Sequence, residues 1–171
     1  MKHPNITITT YCAEETVTLG NLIGKNLKSG QILALIGDLG SGKTWLSRGI
    51  GEGLGISKHH HIHSPAFDLI HEHPGPIPMY HMDFYRLDDF SSEDEMWVTE
   101  YIHSKTGVCI IEWANKFIVD FLDNYLEIQL SMIENCITAR KIDFFAMSNE
   151  YLPLINQLDV DFSLNKETNK S

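Results

Sequence analysis

The sequence predicts an α/β fold, a three-layer sandwich with helices on both faces of a mostly parallel central sheet that also carries an antiparallel hairpin. Two continuous apolar runs, residues 32–36 and 108–111, lack alternating polar positions, which is typical of parallel strands buried on both faces. Helical patterns occur between the predicted strands, as in βαβ units. The length of 171 residues predicts one domain, residues 1–162, followed by a polar tail, 163–171.

The first elements are predicted from local patterns. Alternating β-branched residues at 6–9 predict a short strand, and a helix is predicted to open at Glu14 or Glu15 and to end at Gly30. Strand 32–36 comes next. A second helix is predicted from Thr44 to Gly55, because apolar residues recur there at every fourth position.

The junction between that strand and the second helix fits the spacing GxxxxGK[ST]. Glycines allow backbone amides to approach phosphate oxygens closely, and a helix N-terminus adds its positive dipole end. A lysine at the end of such a loop reaches the β- and γ-phosphates, and the next hydroxyl reaches Mg²⁺. The sequence therefore predicts a phosphate-binding loop of the P-loop NTPase kind, with ATP and Mg²⁺ as cofactors, formed by Gly37, Asp38, Leu39, Gly40, Ser41, Gly42, Lys43 and Thr44.

The second half of the chain is predicted from similar patterns. Residues 67–72 and 79–85 read as strands that pair as a hairpin across the turn at 73–76. A helix is predicted after residue 91, with Met96 and Tyr101 facing inward. Two half-exposed strands, 125–130 and 137–144, and a helix at 151–158 follow, and we expect residues 164–171 to be disordered.

Composition limits the classes of function. The net charge of −10 disfavours direct binding of nucleic acid, so any role with tRNA would be indirect. Three widely spaced cysteines, the absence of an apolar leader and the absence of a long apolar run favour a cytoplasmic protein that does not enter a membrane. Four histidines at 59–61 and 63 are interpreted as a solvated loop rather than as a metal site.

Two carboxylates end predicted strands. Glu112 follows the apolar run 108–111 and is the first candidate for a direct or water-mediated Mg²⁺ ligand, together with Thr44. Asp83 is predicted at the same edge of the sheet, where it would orient either the attacking water or the hydration shell of the metal.

Four motifs, in their order and spacing, resemble the TsaE (YjeE) family, the ATPase component of bacterial tRNA threonylcarbamoyladenosine biosynthesis. They are GDLGSGKT at 37–44, SPAF at 64–67, YHMDFYRL at 80–87 and IEW at 111–113. The resemblance implies an ATP hydrolase that works with the TsaB–TsaD heterodimer. It also implies catalytic roles for Lys43 and Asp83, and nucleotide contacts from Thr16 and Trp113.

Departures from the family pattern leave alternatives open. Ala66 replaces a usual threonine, so a hydroxyl near the γ-phosphate would have to come from Ser64, and the rate of hydrolysis is in question. Trp45 replaces a small residue and would pack under the sheet or against the base. Arg140 is a cationic candidate for phosphate or partner contacts.

The sequence leaves two alternatives to an ATPase. One is a small-molecule kinase, which the small number of arginines disfavours. The other is a non-catalytic nucleotide-dependent binding module, which Ala66 favours. Since Asn115–Lys116 is not followed by an aspartate, the guanine-reading motif is missing and adenine is expected.

Overall fold

The computed structural model describes residues 3–57, 62–65, 68–87, 91–116 and 122–168, with side chains up to residue 162. Seven strands form one sheet in the order β1-β7-β6-β2-β5-β4-β3. The strands are β1 (Ile6–Thr10), β2 (Ile32–Ile36), β3 (Ile70–His73), β4 (Met79–Asp83), β5 (Val108–Glu112), β6 (Leu126–Ile133) and β7 (Cys136–Ala146). The helices are α1 (Ala13–Asn26), α2 (Lys43–Gly53), α3 (Ser92–Ser104) and α4 (Leu152–Thr168).

The centre of the sheet is parallel and both of its sides are antiparallel. Strand β2 pairs in parallel with β5 and β6, and β4 pairs in parallel with β5. The predicted hairpin is β3–β4, and β7 pairs antiparallel with both β6 and β1. The predicted fold class is therefore confirmed.

Both faces of the central strands are buried, as the unbroken apolar runs predict. Leu33 and Leu35 of β2 face one apolar core, which also includes side chains of α1, α2 and α4. Ile32 and Ala34 face the second core, to which α3 contributes Val98. The sheet therefore lies between two helical layers.

Helices α1 and α2 approach each other closely at glycines. A Cβ at Gly49 would lie 2.2 Å from the carbonyl oxygen of Val17, and a Cβ at Gly20 would lie 2.5 Å from that of Leu46. No side chain fits at such distances, so the two backbones are in direct contact. This packing holds the N-terminal end of α2 near the start of α1.

Two predictions were wrong, one about the orientation of a side chain and one about the end of the last helix. Met96 was expected to face inward, but it is 62% exposed. The same prediction for Tyr101 is confirmed, because its ring packs against the second core, edge-on to Tyr80 with ring centroids 4.9 Å apart. The tail was expected to be disordered from residue 164, but α4 continues to Thr168. The apolar residues of α3 do not form one clear stripe: Val98 is buried in the second core, and Tyr101 and Ile102 pack against it while partly exposed.

Among the described residues, no helix has both the length and the apolar composition required to cross a bilayer. The histidines at 59–61 lie outside the described residues. His63, at the end of that segment, packs edge-on against His71 with ring centroids 5.3 Å apart.

Candidate nucleotide-binding site

Strand β2 leads directly into the glycine-rich loop, and α2 begins at Lys43. Gly42 precedes the helix with φ of 102°, a left-handed conformation that favours glycine. At Gly37 a Cβ would lie 2.4 Å from the carbonyl oxygen of Leu130, so a larger residue would push the loop away from β6. Glycine is therefore required at Gly42 by its dihedral angle and at Gly37 by close packing, as expected for a glycine-rich loop.

The amides at the start of α2 are available to an anion. Ser41 N donates to Asp38 O at 3.1 Å, and Leu46 N donates to Gly42 O at 3.1 Å, the first bond of the helical ladder. Helix geometry leaves the amides of the three preceding residues without an acceptor inside the helix. These amides and the dipole of α2 form an anion-binding concavity.

Lys43 closes this concavity from one side. Its Nζ donates to the carbonyl oxygens of Gly37, at 2.7 Å, and Asp38, at 3.0 Å. The same ammonium lies 4.1 Å from the ring centroid of Trp113. Burial lowers the pKa of Lys43, and the charges of Glu112, Asp83 and Asp38 act in the opposite direction.

Glu112 lies at the carboxyl end of β5 and is almost completely buried, at 2% exposure. Its Oε2 accepts a hydrogen bond from Thr44 Oγ1 at 3.3 Å, and its Oε1 accepts one from Ser47 Oγ at 3.0 Å. His81 Nε2 lies 2.9 Å from the same Oε1. The carboxylate of Glu112 is therefore hydrogen-bonded both to the N-terminal part of α2 and to β4.

Sequence reasoning did not identify Ser47 or His81. Signals for both were present, because Ser47 is three residues after Thr44 on the same face of α2. His81 is two residues before Asp83, and alternate residues of a strand share a face.

Asp83 pairs in register with Glu112 on the neighbouring strand, so both carboxylates lie at one edge of the sheet. Its Oδ1 accepts a hydrogen bond from the amide of Tyr85 at 2.8 Å. Its Oδ2 accepts one from the hydroxyl of Ser64. In the SPAF motif at 64–67, Ser64 is the residue that carries a hydroxyl, and it lies beside Asp83. Ala66 lies outside the described residues.

Two neighbouring clefts surround the start of α2. The first has a volume of about 360 Å³ and is lined by Leu39, Gly40, Gly42, Lys43, Thr44, Trp45, Ser64, Asp83, Tyr85, Arg86, Glu112, Trp113 and Arg140. The second has a volume of about 320 Å³ and is lined by Cys12, Ala13, Glu14, Thr16, Gly42, Trp45, Ile137, Thr138 and Arg140. Gly42, Trp45 and Arg140 line both clefts, so the two adjoin at these residues and together border the start of α2.

The remaining candidates lie along these clefts. Trp45 is 48% exposed and does not pack under the sheet. The Trp113 ring lies 5.0 Å from that of Tyr85, and its backbone has φ of 59°. Thr16 lines the second cleft but is only 2% exposed. Its hydroxyl is hydrogen-bonded to the hydroxyl of Thr10 at 2.8 Å.

Comparison with known proteins gives a consistent result. The family model described as threonylcarbamoyl adenosine biosynthesis protein TsaE matches residues 10–142. A tRNA threonylcarbamoyladenosine biosynthesis protein TsaE of Bacillus subtilis is 38% identical over 150 residues, which cover 87% of this chain and 90% of that protein. The protein with the same description from Treponema pallidum is 33% identical over 121 residues, 71% of this chain and 87% of that protein. A crystal structure of Bacillus subtilis YdiB superposes with a TM-score of 0.75 at 33% identity, covering 91% of this chain and 95% of that chain.

Proposed function

Because the chain belongs to the TsaE family of tRNA threonylcarbamoyladenosine biosynthesis proteins, we propose that it is a Mg²⁺-dependent ATPase. In this proposal it acts in the cytoplasm with a TsaB–TsaD complex and supports threonylcarbamoyl transfer to the adenosine next to the anticodon of tRNA. Its acidic net charge of −10 suits a subunit that reaches tRNA through its partners rather than directly.

One observation supports the ATPase proposal more than any other. The hydroxyl of Thr44, on the first turn of the helix that follows the phosphate loop, lies 3.3 Å from the buried carboxylate of Glu112 at the end of a parallel strand. Phosphate-loop ATPases need this juxtaposition of a loop hydroxyl and a strand-end acid to hold the metal of a bound nucleotide.

The donor set suits Mg²⁺. The carboxylate oxygens of Glu112 and the hydroxyl of Thr44 are hard oxygen donors, which Mg²⁺ prefers. Thr44 and Glu112 would hold the ion, directly or through water, with Ser47 and His81 fixing the carboxylate. When bound, Mg²⁺ neutralises part of the charge on the β- and γ-phosphates.

The residues of the loop would bind and orient the triphosphate. The amides at the start of α2 would donate to the β-phosphate, and the ammonium of Lys43 would exchange its bonds to the carbonyl oxygens of Gly37 and Asp38 for bonds to phosphate oxygens. The carboxylate of Asp83 would orient the attacking water or a water of the metal's hydration shell. Trp113 would cover Lys43 and reduce its access to bulk water.

The second cleft would receive the nucleoside. Its lining includes the apolar side chains of Ala13 and Ile137 as well as the acidic Glu14. It adjoins the phosphate loop at Gly42. Adenine is proposed because the sequence lacks a guanine-reading motif. Trp45, on the wall that both clefts share, is available to stack on the base or ribose.

A non-catalytic, nucleotide-dependent regulatory role is the second candidate, and the contacts of Asp83 favour it. Both of its carboxylate oxygens already accept hydrogen bonds, from Ser64 and from the amide of Tyr85. A carboxylate with both oxygens occupied has less capacity to accept a hydrogen bond from an attacking water, unless Ser64 moves away. Slow hydrolysis by the isolated chain, accelerated by its partners, would fit both this geometry and the ATPase proposal.

The test is release of phosphate from ATP by the wild-type chain and by Lys43→Met, each with and without purified TsaB and TsaD. We expect Mg²⁺-dependent turnover that rises with the partners and disappears in Lys43→Met. ATP binding without turnover under all conditions would favour the regulatory role. Failure of the wild-type chain to bind ATP would refute the proposal.

A further inference from the structure

Arg140 of β7 lies where the two clefts meet. Its Nη1 donates to the carbonyl oxygens of Ile137, at 2.6 Å, and Ala139, at 2.8 Å. Its Nη2 donates to the carbonyl oxygen of Gly40, in the phosphate loop, at 2.9 Å. These bonds hold the guanidinium in one orientation and connect the β6–β7 hairpin to the loop.

Two of its five N–H groups have no acceptor among the described residues. The Nε atom is buried and has no hydrogen-bond partner there, and Nη2 uses one of its two hydrogens for Gly40. Arginine donors without an acceptor are uncommon in such surroundings, because an unsatisfied buried donor is unfavourable. The side chain therefore retains capacity for an acceptor that comes from a ligand.

The position of this capacity between the two clefts is specific. A Cβ at Gly42 would lie 3.7 Å from Nε of Arg140. Gly42 directly precedes the first residue of α2. Of the residues that line the second cleft, Arg140 is the only one with a cationic side chain. Lys43 and Arg86 line the first cleft alone, on the side of the carboxylates.

We propose that Arg140 binds the α-phosphate of the nucleotide. This inference rests on the proposed function, which puts the β- and γ-phosphates in the first cleft and the nucleoside in the second. The α-phosphate joins these two parts, so it lies at the junction where Gly42, Trp45 and Arg140 form the wall. A guanidinium held by three backbone carbonyls is a rigid donor and suits a phosphate oxygen at that point.

The arrangement also gives a structural consequence. Since the same guanidinium holds Gly40 and the hairpin strand, a bound α-phosphate would connect the nucleotide to β7 as well as to α2. Arg140 would thus add to the affinity for a nucleoside triphosphate, whereas the loop amides alone would bind a nucleotide and an inorganic polyphosphate alike.

The experiment compares binding of ATP with binding of the two diastereomers of adenosine 5′-O-(1-thiotriphosphate), which alter one α-oxygen each. Isothermal titration calorimetry on the full chain is done for wild type, Arg140→Met and Arg140→Lys, with Lys141→Met as a matched control. Lys141 is an exposed cationic residue of β7, next to Arg140, that pairs with Asp143 and lines neither cleft. The γ-thio analogue of ATP is the control ligand.

We expect Arg140→Met to weaken ATP binding about ten- to a hundredfold, the range of a hydrogen bond to a charged group. We also expect the ratio of affinities for ATP and at least one α-thio isomer to change from its wild-type value, while the ratio for the γ-thio analogue stays the same. Lys141→Met should keep both ratios. If Arg140→Met fails to fold, Arg140→Lys serves instead, because a single ammonium must alter the preference between the isomers.

An unchanged α-thio ratio in the Arg140 variants would overturn the inference, even if ATP affinity falls, because the residue would then act only by holding Gly40. The proposed function would survive that result. In contrast, a wild-type chain that binds no ATP would refute both.

Discussion

Replacing Glu112 with glutamine should separate the role of this residue in the fold from its role with Mg²⁺. The glutamine side chain has nearly the same shape and keeps a carbonyl acceptor for His81 or Ser47, whose donors lie 2.9 and 3.0 Å from Oε1. The hydroxyls of Thr44 and Ser47 can rotate to accept from the new amide group. We therefore expect Glu112→Gln to lower the free energy of unfolding by about 1–2 kcal/mol.

Glu112→Ala should be more damaging to the fold. It removes the carboxylate next to the buried Nε2 of His81, whereas the hydroxyl of Ser47 keeps the carbonyl oxygen of Lys43 as an acceptor at 3.0 Å. An unsatisfied buried donor costs about 1–3 kcal/mol and the truncated side chain leaves a cavity, so we expect a loss of about 2–4 kcal/mol. Urea unfolding followed by circular dichroism measures both values.

The metal-dependent effect is measured as ATP affinity in excess Mg²⁺ divided by ATP affinity in EDTA. In Glu112→Gln this ratio should fall by about tenfold or more, since a neutral amide oxygen replaces a carboxylate ligand. Affinity in EDTA should change little. Glu127→Gln is the control, because Glu127 is also buried in the sheet, at 7% exposure, but lines neither cleft.

A wild-type Mg²⁺ ratio in Glu112→Gln, with the fold intact, would refute the assignment of this carboxylate to the metal. Equal loss of affinity with and without Mg²⁺ would likewise contradict it, since the defect would then lie in the phosphate loop.

Three other substitutions test different parts of the structure. Lys43→Ala should reduce ATP binding below detection in calorimetry while the melting temperature stays near that of wild type; unchanged affinity would contradict the role of Lys43. Gly49→Ala should lower the free energy of unfolding by about 1–3 kcal/mol, because its Cβ would lie 2.2 Å from Val17 O; a melting curve like that of wild type would show that α1 and α2 can move apart without cost. Tyr151→Phe should cost about 1–3 kcal/mol in urea unfolding, since the buried Tyr151 hydroxyl accepts from Ile32 N at 2.9 Å; no change would mean that another acceptor replaces it.

Much of the fold could be predicted from local patterns. Strands β2 and β5 were recognisable because a strand buried on both faces requires an unbroken apolar run, and both ends of β2 matched the structure. Helix α3 was located and Tyr101 faces inward as predicted, but Met96 does not, since the apolar positions of this helix do not form one clear stripe. The end of α4 was missed because polar composition was interpreted as disorder, although a helix can continue with polar side chains.

The candidate site was predictable to the extent that its residues belong to a contiguous motif. The loop at 37–44 and the acid of β5 follow from spacing and strand position. Ser47 and His81 did not follow, because their spacing from Thr44 and Asp83 shows only that they share a face with those residues and does not specify a contact with Glu112. Their relevance depends on the separation of 2.9 to 3.0 Å from one carboxylate oxygen.

The sequence by itself determined the phosphate loop, the two strand-end carboxylates and the parallel centre of the sheet, because each depends on residue types a few positions apart. Only the tertiary structure decided that β7 brings Arg140 to the phosphate loop, 100 residues away from Gly40 along the chain. It also decided that His81 and Ser47 reach Glu112 from a neighbouring strand and from α2. Spacing along the chain shows which face of its helix or strand a side chain occupies, but contacts of this kind depend on strand order and register, which arise from packing of the whole sheet.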